Sequence, residues 1–342
     1  MENSVIKDIP NTTISKVSKA LVQIREQGGA VALGRVLTLI IETDFKGIEQ
    51  AIKAANEASR EHPCRIIVLA NSVSKGKTTA RLDAQIRVGG DAGASEVIVL
   101  RAYGEAASDP EGLVTGLLLP DAPVVAWWPE NAPQNVADSP LGRIATRRIT
   151  DSASQKDHHA FLRGLAKHYT PGDSDFAWTR LTLWRAQLAA ILDQPPYDPV
   201  IAAEVVGAVD SPSTDLLAAW LHVKLKVDVK LIRTARGRVV HGIRGVKLIR
   251  KSGDIEVVRN TSDVATLIQP TQPTREISLP RRSLRDCLSE DLRRLDPDDL
   301  YGQILVKSFG SKSVKPAISK GAAAKSSLTR VSAKAVIGSS KK

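Results

Sequence analysis

Val36-Leu37-Thr38-Leu39-Ile40-Ile41, then Ile48-Glu49-Gln50-Ala51-Ile52-Lys53-Ala54-Ala55-Asn56-Glu57-Ala58-Ser59, then Ile66-Ile67-Val68-Leu69: these three consecutive pieces set the fold class. The first and third are strand-length apolar runs, broken only by Thr38, the pattern of strands covered on both faces. The middle piece reads as a helix, and His62-Pro63 stops it. Strand, helix and strand in that order form one α/β unit.

Working outward, Ile14, Val17, Leu21 and Ile24 lie at helical spacing after the capping residues Asn11 and Thr12. Residues 80–88 alternate, with Leu82, Ala84, Ile86 and Val88 on one face and Arg81, Asp83, Gln85 and Arg87 on the other. Glu96–Leu100 and Val124–Trp128 read as further strands, and the prolines at 129, 133 and 140 mark a long surface loop. In the second half, Leu181, Trp184, Leu188 and Ile191 form one apolar helical stripe. Ile201–Val206 is a strand, and Ser211-Pro212 caps a helix to about Leu225. Val227–Ile232, Val239–Ile249 and Glu256–Arg259 follow as strands, the last two joined at Ser252-Gly253-Asp254. A linker marked by Pro270, Pro273 and Pro280 leads to a helix capped by Ser283 and packed through Leu284, Leu288, Leu292 and Leu295. The order helix, strand, helix, strand, hairpin occurs from Ile14 and again from Trp178, which raises the prospect of a duplicated architecture. The expectation is two α/β domains of mixed sheets with flanking helices, over 1–170 and 171–306, with Gly172-Asp173-Ser174-Asp175 near the boundary.

The net charge of +11 suggests nucleic acid until it is located. Residues 307–342 hold eight lysines, Arg330 and no acid, so nine of the eleven charges lie there. That Ser/Ala/Lys-rich segment lacks the apolar area to offset its conformational entropy and reads as a disordered tail. Weak, salt-sensitive contacts with polyanions are the most it implies. Cys64 and Cys287 are far apart and outside any metal-ligand spacing, which fits a reducing compartment. Met1–Asn11 has no secretory pattern, and no apolar run nears the roughly 18 residues that span a bilayer. A soluble, cytoplasmic protein without membrane contact is expected.

Motifs of chemistry are scarce. Asn71-Ser72-Val73-Ser74-Lys75-Gly76-Lys77-Thr78 ends like a phosphate-binding loop, but Asn71 stands where glycine is needed and a strand pattern follows where a helix must begin. Gly89-Gly90-Asp91-Ala92-Gly93 precedes a strand instead of opening a helix, so a turn between antiparallel strands accounts for it better than a dinucleotide site. His158, His159 and His168 share one helical segment without a catalytic grouping, and no metalloprotease or serine-hydrolase motif is present. No catalytic residue, metal site or cofactor is expected.

Interface chemistry stands out more. Trp127 and Trp128 end a strand and, by alternation, point to opposite faces, so one is expected in the core and the other near a surface or a domain interface. Burial of both between domains is the competing account. Arg180 and Arg185 flank the Trp184 stripe. Tryptophan and arginine are enriched among binding hot spots, so Trp127, Trp128, Arg81, Arg87, Arg180 and Arg185 are the candidate partner-binding residues. An enzyme that holds a sugar phosphate through Lys77, Arg81 or Arg87 is the alternative.

Several segments together resemble the OpcA family of bacterial glucose-6-phosphate dehydrogenase assembly proteins. They are 28–39 (GGAVALGRVLTL from Gly28), Glu57–Arg65, Arg81–Arg87, Leu119–Pro129, Arg148–Ser152 and Asp175–Arg185. The likeness spans roughly 28–190 and weakens toward 306. It implies a non-enzymatic protein that binds glucose-6-phosphate dehydrogenase and promotes its active oligomer in the oxidative pentose phosphate pathway, where NADPH is made. The family offers no catalytic residues to carry over.

Overall fold

The computed structural model describes residues 5–28, 34–71, 79–89, 96–234, 242–310 and 318–320. In chain order its elements are β1 (Val5–Ile9), α1 (Ile14–Gly28), β2 (Leu37–Thr43), α2 (Ile48–Ser59), β3 (Cys64–Asn71), β4 (Arg81–Val88), β5 (Glu96–Tyr103), α3 (Pro110–Thr115), β6 (Val124–Trp128), α4 (Pro140–Ile144), β7 (Arg147–Thr150) and α5 (His158–Lys167). There follow β8 (Asp173–Asp175), α6 (Phe176–Thr179), α7 (Thr182–Leu192), β9 (Val200–Ala208), α8 (Pro212–Leu225), β10 (Asp228–Thr234) and β11 (Ile243–Arg250). The chain closes with β12 (Ile255–Arg259), β13 (Val264–Ile268), β14 (Arg275–Ser278), α9 (Leu284–Arg293), α10 (Asp299–Phe309) and β15 (Ile318–Lys320).

These elements make two compact units that do not follow a single cut in the sequence. Unit 1 takes 1–156, 168–176 and 283–299; unit 2 takes 157–167, 177–282 and 300–342. Helix α5 therefore belongs to unit 2, and α9, which follows all the strands of unit 2 up to β14, returns to unit 1.

Unit 1 is built on the sheet β1-β4-β5-β3-β2-β6-β7-β8. From β5 to β8 all neighbours are parallel, while β4 and β1 add antiparallel at one edge. Counting the parallel strands along the chain gives the order 3-2-1-4-5-6, the doubly wound arrangement of dinucleotide-binding folds. The sequence explains the burial. Strands β2, β3, β5 and β6 are nearly continuous apolar runs, and their side chains are almost all buried, as parallel strands covered on both faces require. Strand β4 alternates instead, with Leu82, Ala84 and Ile86 buried. Helix α2 lays Ile48, Ala51, Ile52, Ala55 and Ala58 on the sheet, and Leu288 and Leu292 of α9 join the same core, with Leu284 and Leu295 packed at its margin. Ser283 starts α9 with a capping box: its Oγ accepts from the Asp286 amide while Asp286 accepts from the Ser283 amide.

Unit 2 is a sheet of order β14-β13-β12-β11-β9-β10, with β15 beside β10. Strands β9 and β10 are parallel and joined by α8; β11 to β14 form an antiparallel meander. Ser211 caps α8 through its hydroxyl, with Pro212 in the first turn as expected.

Both domains are α/β with mixed sheets, as the sequence predicts, but their strand orders differ, so the repeated order of elements does not extend to topology. The sequence reading leaves out several elements, among them β1, α3, α4, β7, β8, β13, β14, α10 and, inside the expected tail, β15. Strand β1 covers the edge of β4, β14 lies inside the proline-marked stretch, where an edge position tolerates such neighbours, and α10 carries the ordered chain past residue 306. The segment expected to be a disordered tail from 307 therefore begins with helical residues 307–309. Residues 311–317 and 321–342 lie outside the described residues, as do 72–78 and 90–95 of the two glycine-bearing loops. Strands β4 and β5, which flank the second loop, pair antiparallel as expected. No helix among the described residues is long and apolar enough to cross a membrane.

Candidate functional site

In an open parallel sheet, ligands bind outside the carboxyl ends of the strands where the strand order reverses. In unit 1 that point lies between β2 and β6, and its residues come from the turn after β2 and the end of β6. Dinucleotide folds put a glycine-rich loop there so that free amides at the following helix face the pyrophosphate. Here the turn is Asp44-Phe45-Lys46-Gly47. The Asp44 carboxylate accepts the amides of Lys46 and Gly47, each at 2.8 Å, so the protein's own acid occupies the place of an anion. A Cβ on Gly47 would lie 2.2 Å from Thr43 Oγ1 and 3.0 Å from Glu130 Oε1. The β2 turn and the segment after β6 are therefore packed together at this point.

The acid next to it is Glu42, at the end of β2. Its carboxylate accepts from Trp128 Nε1 at 2.6 Å and from Asn71 Nδ2 at 3.1 Å. Burial pushes the Glu42 carboxyl above its ordinary range, partly opposed by the Trp128 bond. Glu42, Asp44 and Glu130 thus give this end of the sheet an acidic lining that disfavours phosphate. No grouping of three or more His, Cys, Asp or Glu side chains suited to a metal ion occurs among the described residues.

The six candidate residues do not converge on one site. Trp127 and Trp128 are both buried, at 0% and 1% exposure, which corrects the expectation that one reaches a surface. All five side chains of β6 are buried, so both faces of the strand are covered. Trp127 packs against Phe176 with ring centroids 5.7 Å apart, and Trp128 spends its N–H on Glu42. Arg87 is held by Glu49 through two hydrogen bonds of 2.9 and 2.6 Å and donates to Gln85. Hydrogen bonding from Arg87 holds the Glu49 carboxyl below its ordinary range. In unit 2, the Arg185 guanidinium stacks 3.9 Å over the Trp178 ring. Arg180 is half-buried in the turn between α6 and α7.

Arg81 differs. Its side chain is 49% exposed and pairs with Asp83 at 3.1 Å, while its guanidinium lies 4.3 Å from the centre of the Tyr103 ring. Tyr103 in turn meets Phe45 edge-on at 5.2 Å. Arg81 begins β4 opposite Tyr103 at the end of β5, and Phe45 sits in the turn after β2. All three therefore stand on the ligand-bearing edge of the parallel sheet. Sequence reasoning finds Arg81 but misses Phe45 and Tyr103, because each is a lone aromatic whose partner is set by strand order.

Two family models match the sequence. One describes the N-terminal domain of a glucose-6-phosphate dehydrogenase subunit and matches residues 55–167; the other describes the C-terminal domain of the same kind of protein and matches residues 171–305. No curated protein matches it. Among solved structures, the chain is similar to biliverdin reductase from Synechocystis sp. PCC 6803 in complex with biliverdin and NADP+, at 12% identity, covering 80% of this chain and 96% of that one, with a TM-score of 0.42. It is also similar to levoglucosan dehydrogenase in complex with NADH and L-sorbose, at 9% identity, covering 81% and 91%, with a TM-score of 0.41.

Proposed function

The chain belongs to the OpcA family of glucose-6-phosphate dehydrogenase subunits, and from that premise we propose that it is a non-enzymatic partner which binds the dehydrogenase and promotes its active oligomer. The observation that carries this reading is the pair of domain matches, which follow one another from residue 55 to residue 305. The switch point of unit 1 supports it. A dinucleotide enzyme needs free amides and glycines there, and this chain supplies Asp44 on the amides and acids around them. As an activator the protein would work in the cytoplasm, on the oxidative pentose phosphate pathway.

Of the six candidate residues, Arg81 has the features of a contact anchor: exposure, and a guanidinium lying over an aromatic ring. Arg87, tied to Glu49, would stand at the rim. The alternative, a sugar-phosphate enzyme, needs free cations, and Arg81 and Arg87 are engaged by Asp83 and Glu49. Lys77 lies outside the described residues.

The test is an assay of glucose-6-phosphate dehydrogenase from the same cells, with and without the protein in several-fold molar excess, alongside light scattering of the mixture. The proposal expects a changed apparent affinity or maximal rate and a larger complex. Unaltered kinetics and an unaltered mass would end it.

A further inference from the structure

Among the described residues, the end of the unit 1 sheet opposite the switch point carries positive charge that is only partly neutralised. Register pairs Arg65, near the start of β3, with Glu96, the first residue of β5. Glu96 is fully buried. Its carboxylate accepts from Arg25 Nε at 3.0 Å, Arg25 Nη2 at 2.7 Å and Arg65 Nε at 2.8 Å. Arg65 is also buried and turns Nη1 to the carbonyls of Leu117 and Leu118. Two guanidiniums thus share one carboxylate.

A third stands beside them. The Val36 amide donates to the Pro63 carbonyl at 3.0 Å, which places Arg35 one strand away from Arg65. The charge of Arg35 bears on both Arg65 and Glu96. Arg35 makes no ion pair among the described residues, and its Nε is buried without an acceptor. His62 Nε2, on the same turn as Pro63, is buried without a partner too. The Arg35 and Arg65 segments are separate blocks of the sequence, and the fold brings them to one place.

Burial alone would raise the Glu96 carboxyl, but Arg25, Arg65 and Arg35 together outweigh burial and hold it below its ordinary range. Glu96 is therefore ionised, and among the described residues it cancels one charge of three. An excess of two positive charges in a half-dry setting is costly unless a counter-ion joins them. A buried guanidinium N–H without an acceptor adds to that cost.

We infer that Arg35, at the margin of the arginines gathered around Glu96, forms a binding site for a small tetrahedral oxyanion of the phosphate class, free or as a phosphomonoester. The charge matches: a phosphate dianion neutralises the excess, whereas a carboxylate leaves one charge over. The donor chemistry suits it as well, because a guanidinium fork binds two oxyanion oxygens at once. The Arg25 side chain is 34% exposed, and Arg35 is half-buried beside Val36, which is 54% exposed.

This inference does not rest on dehydrogenase binding, and its test uses the full chain alone. Calorimetric titration with inorganic phosphate, at ionic strength held constant with chloride, should give saturable binding. Glucose 6-phosphate, set against glucose, tells a free phosphate from a phosphomonoester: binding of either phosphate compound, but not of glucose, supports the site. Arg35→Gln should weaken that binding about tenfold or more, the size of one charged hydrogen-bonding partner lost. Its melting temperature without phosphate should not fall below that of the parent, because Arg35 has no ion pair among the described residues to lose and its removal relieves the excess of charge. Arg35→Lys, which keeps charge without the fork, should fall between the two. Absence of saturable phosphate or glucose 6-phosphate binding at millimolar concentration overturns the site. So does Arg35→Gln binding as the parent does, whether or not its melting temperature drops.

Discussion

Trp128 Nε1 donates to Glu42 Oε2 at 2.6 Å, and that bond ties the end of β6 to the end of β2 at the switch point of unit 1. Glu42 is pushed up by burial and held back in part by Trp128. Trp128→Phe keeps most of the apolar volume but removes the donor. It should cost about 1–3 kcal/mol, the range for a buried acceptor deprived of its partner. Because the bond favours the ionised carboxylate, the loss should be larger at neutral pH than below the ordinary glutamate range near about 4.3. Denaturant midpoints of parent and variant at the two pH values measure this. An equal loss at both would mean that the bond acts without regard to the charge on Glu42.

The same two residues show what sequence reading reaches and where it stops. Alternation assigns Trp127 and Trp128 to opposite faces, which is correct for a strand, but it does not say that both faces are covered. The run Val124-Val125-Ala126-Trp127-Trp128, apolar throughout, carries that information, and it outweighs the alternation argument. Helix α2 and strand β6 are legible to the residue, because periodic or continuous apolar runs bounded by proline or polar turns leave little choice. The 3-2-1-4-5-6 order is not legible, since pairing between strands distant in sequence is a tertiary outcome. Asp44 gives no signal in advance either. An acid in a turn is commonplace until the strand order shows which amides it meets.

Asp291, on α9, offers a test of how the returning helix is held in unit 1. It is buried and accepts from Arg147 Nε at 3.2 Å, from Arg147 Nη2, and from Ser174 Oγ at 2.6 Å. Asp291→Ala leaves the Arg147 guanidinium buried and without this carboxylate, a change that typically costs about 3–5 kcal/mol. The paired change Arg147→Met with Asp291→Leu removes both charges and should recover much of that loss. Urea unfolding of the three proteins checks this; a double variant no more stable than Asp291→Ala would argue against the charge as the cause.

His159 of α5 lies with its Nδ1 2.7 Å from Asp215 Oδ2, and Asp215 also accepts from Arg233 at 2.6 Å. Hydrogen bonding to Asp215 raises the His159 pKa, while burial and the nearby Arg233 oppose the rise. A histidine with a raised folded pKa adds stability that is complete below its unfolded value, near about 6.5, and is lost as pH climbs through the folded value. The difference in melting temperature between the parent and His159→Asn should therefore be greatest in mildly acidic buffer and shrink toward pH 8. A difference that grows with pH would reverse the assigned role of Asp215.

Arg81 separates an interface from a structural role. Its guanidinium covers the Tyr103 ring, and its side chain is half exposed, so Arg81→Ala removes little buried area and breaks only an exposed pair with Asp83. Pairs of that kind contribute at most about 1 kcal/mol, and the melting temperature of the variant should hardly change. As a contact anchor, by contrast, its truncation should cost the complex about 2 kcal/mol or more, roughly thirtyfold in affinity. Tyr103→Leu, which takes away the platform and leaves the cation, should weaken the complex as well, and Arg87→Ala at the rim should do so less. The decisive comparison sets affinity for glucose-6-phosphate dehydrogenase against thermal stability in the same three variants. If affinity follows stability in all of them, or if Arg81→Ala binds and activates as the parent does, the partner meets another part of the molecule.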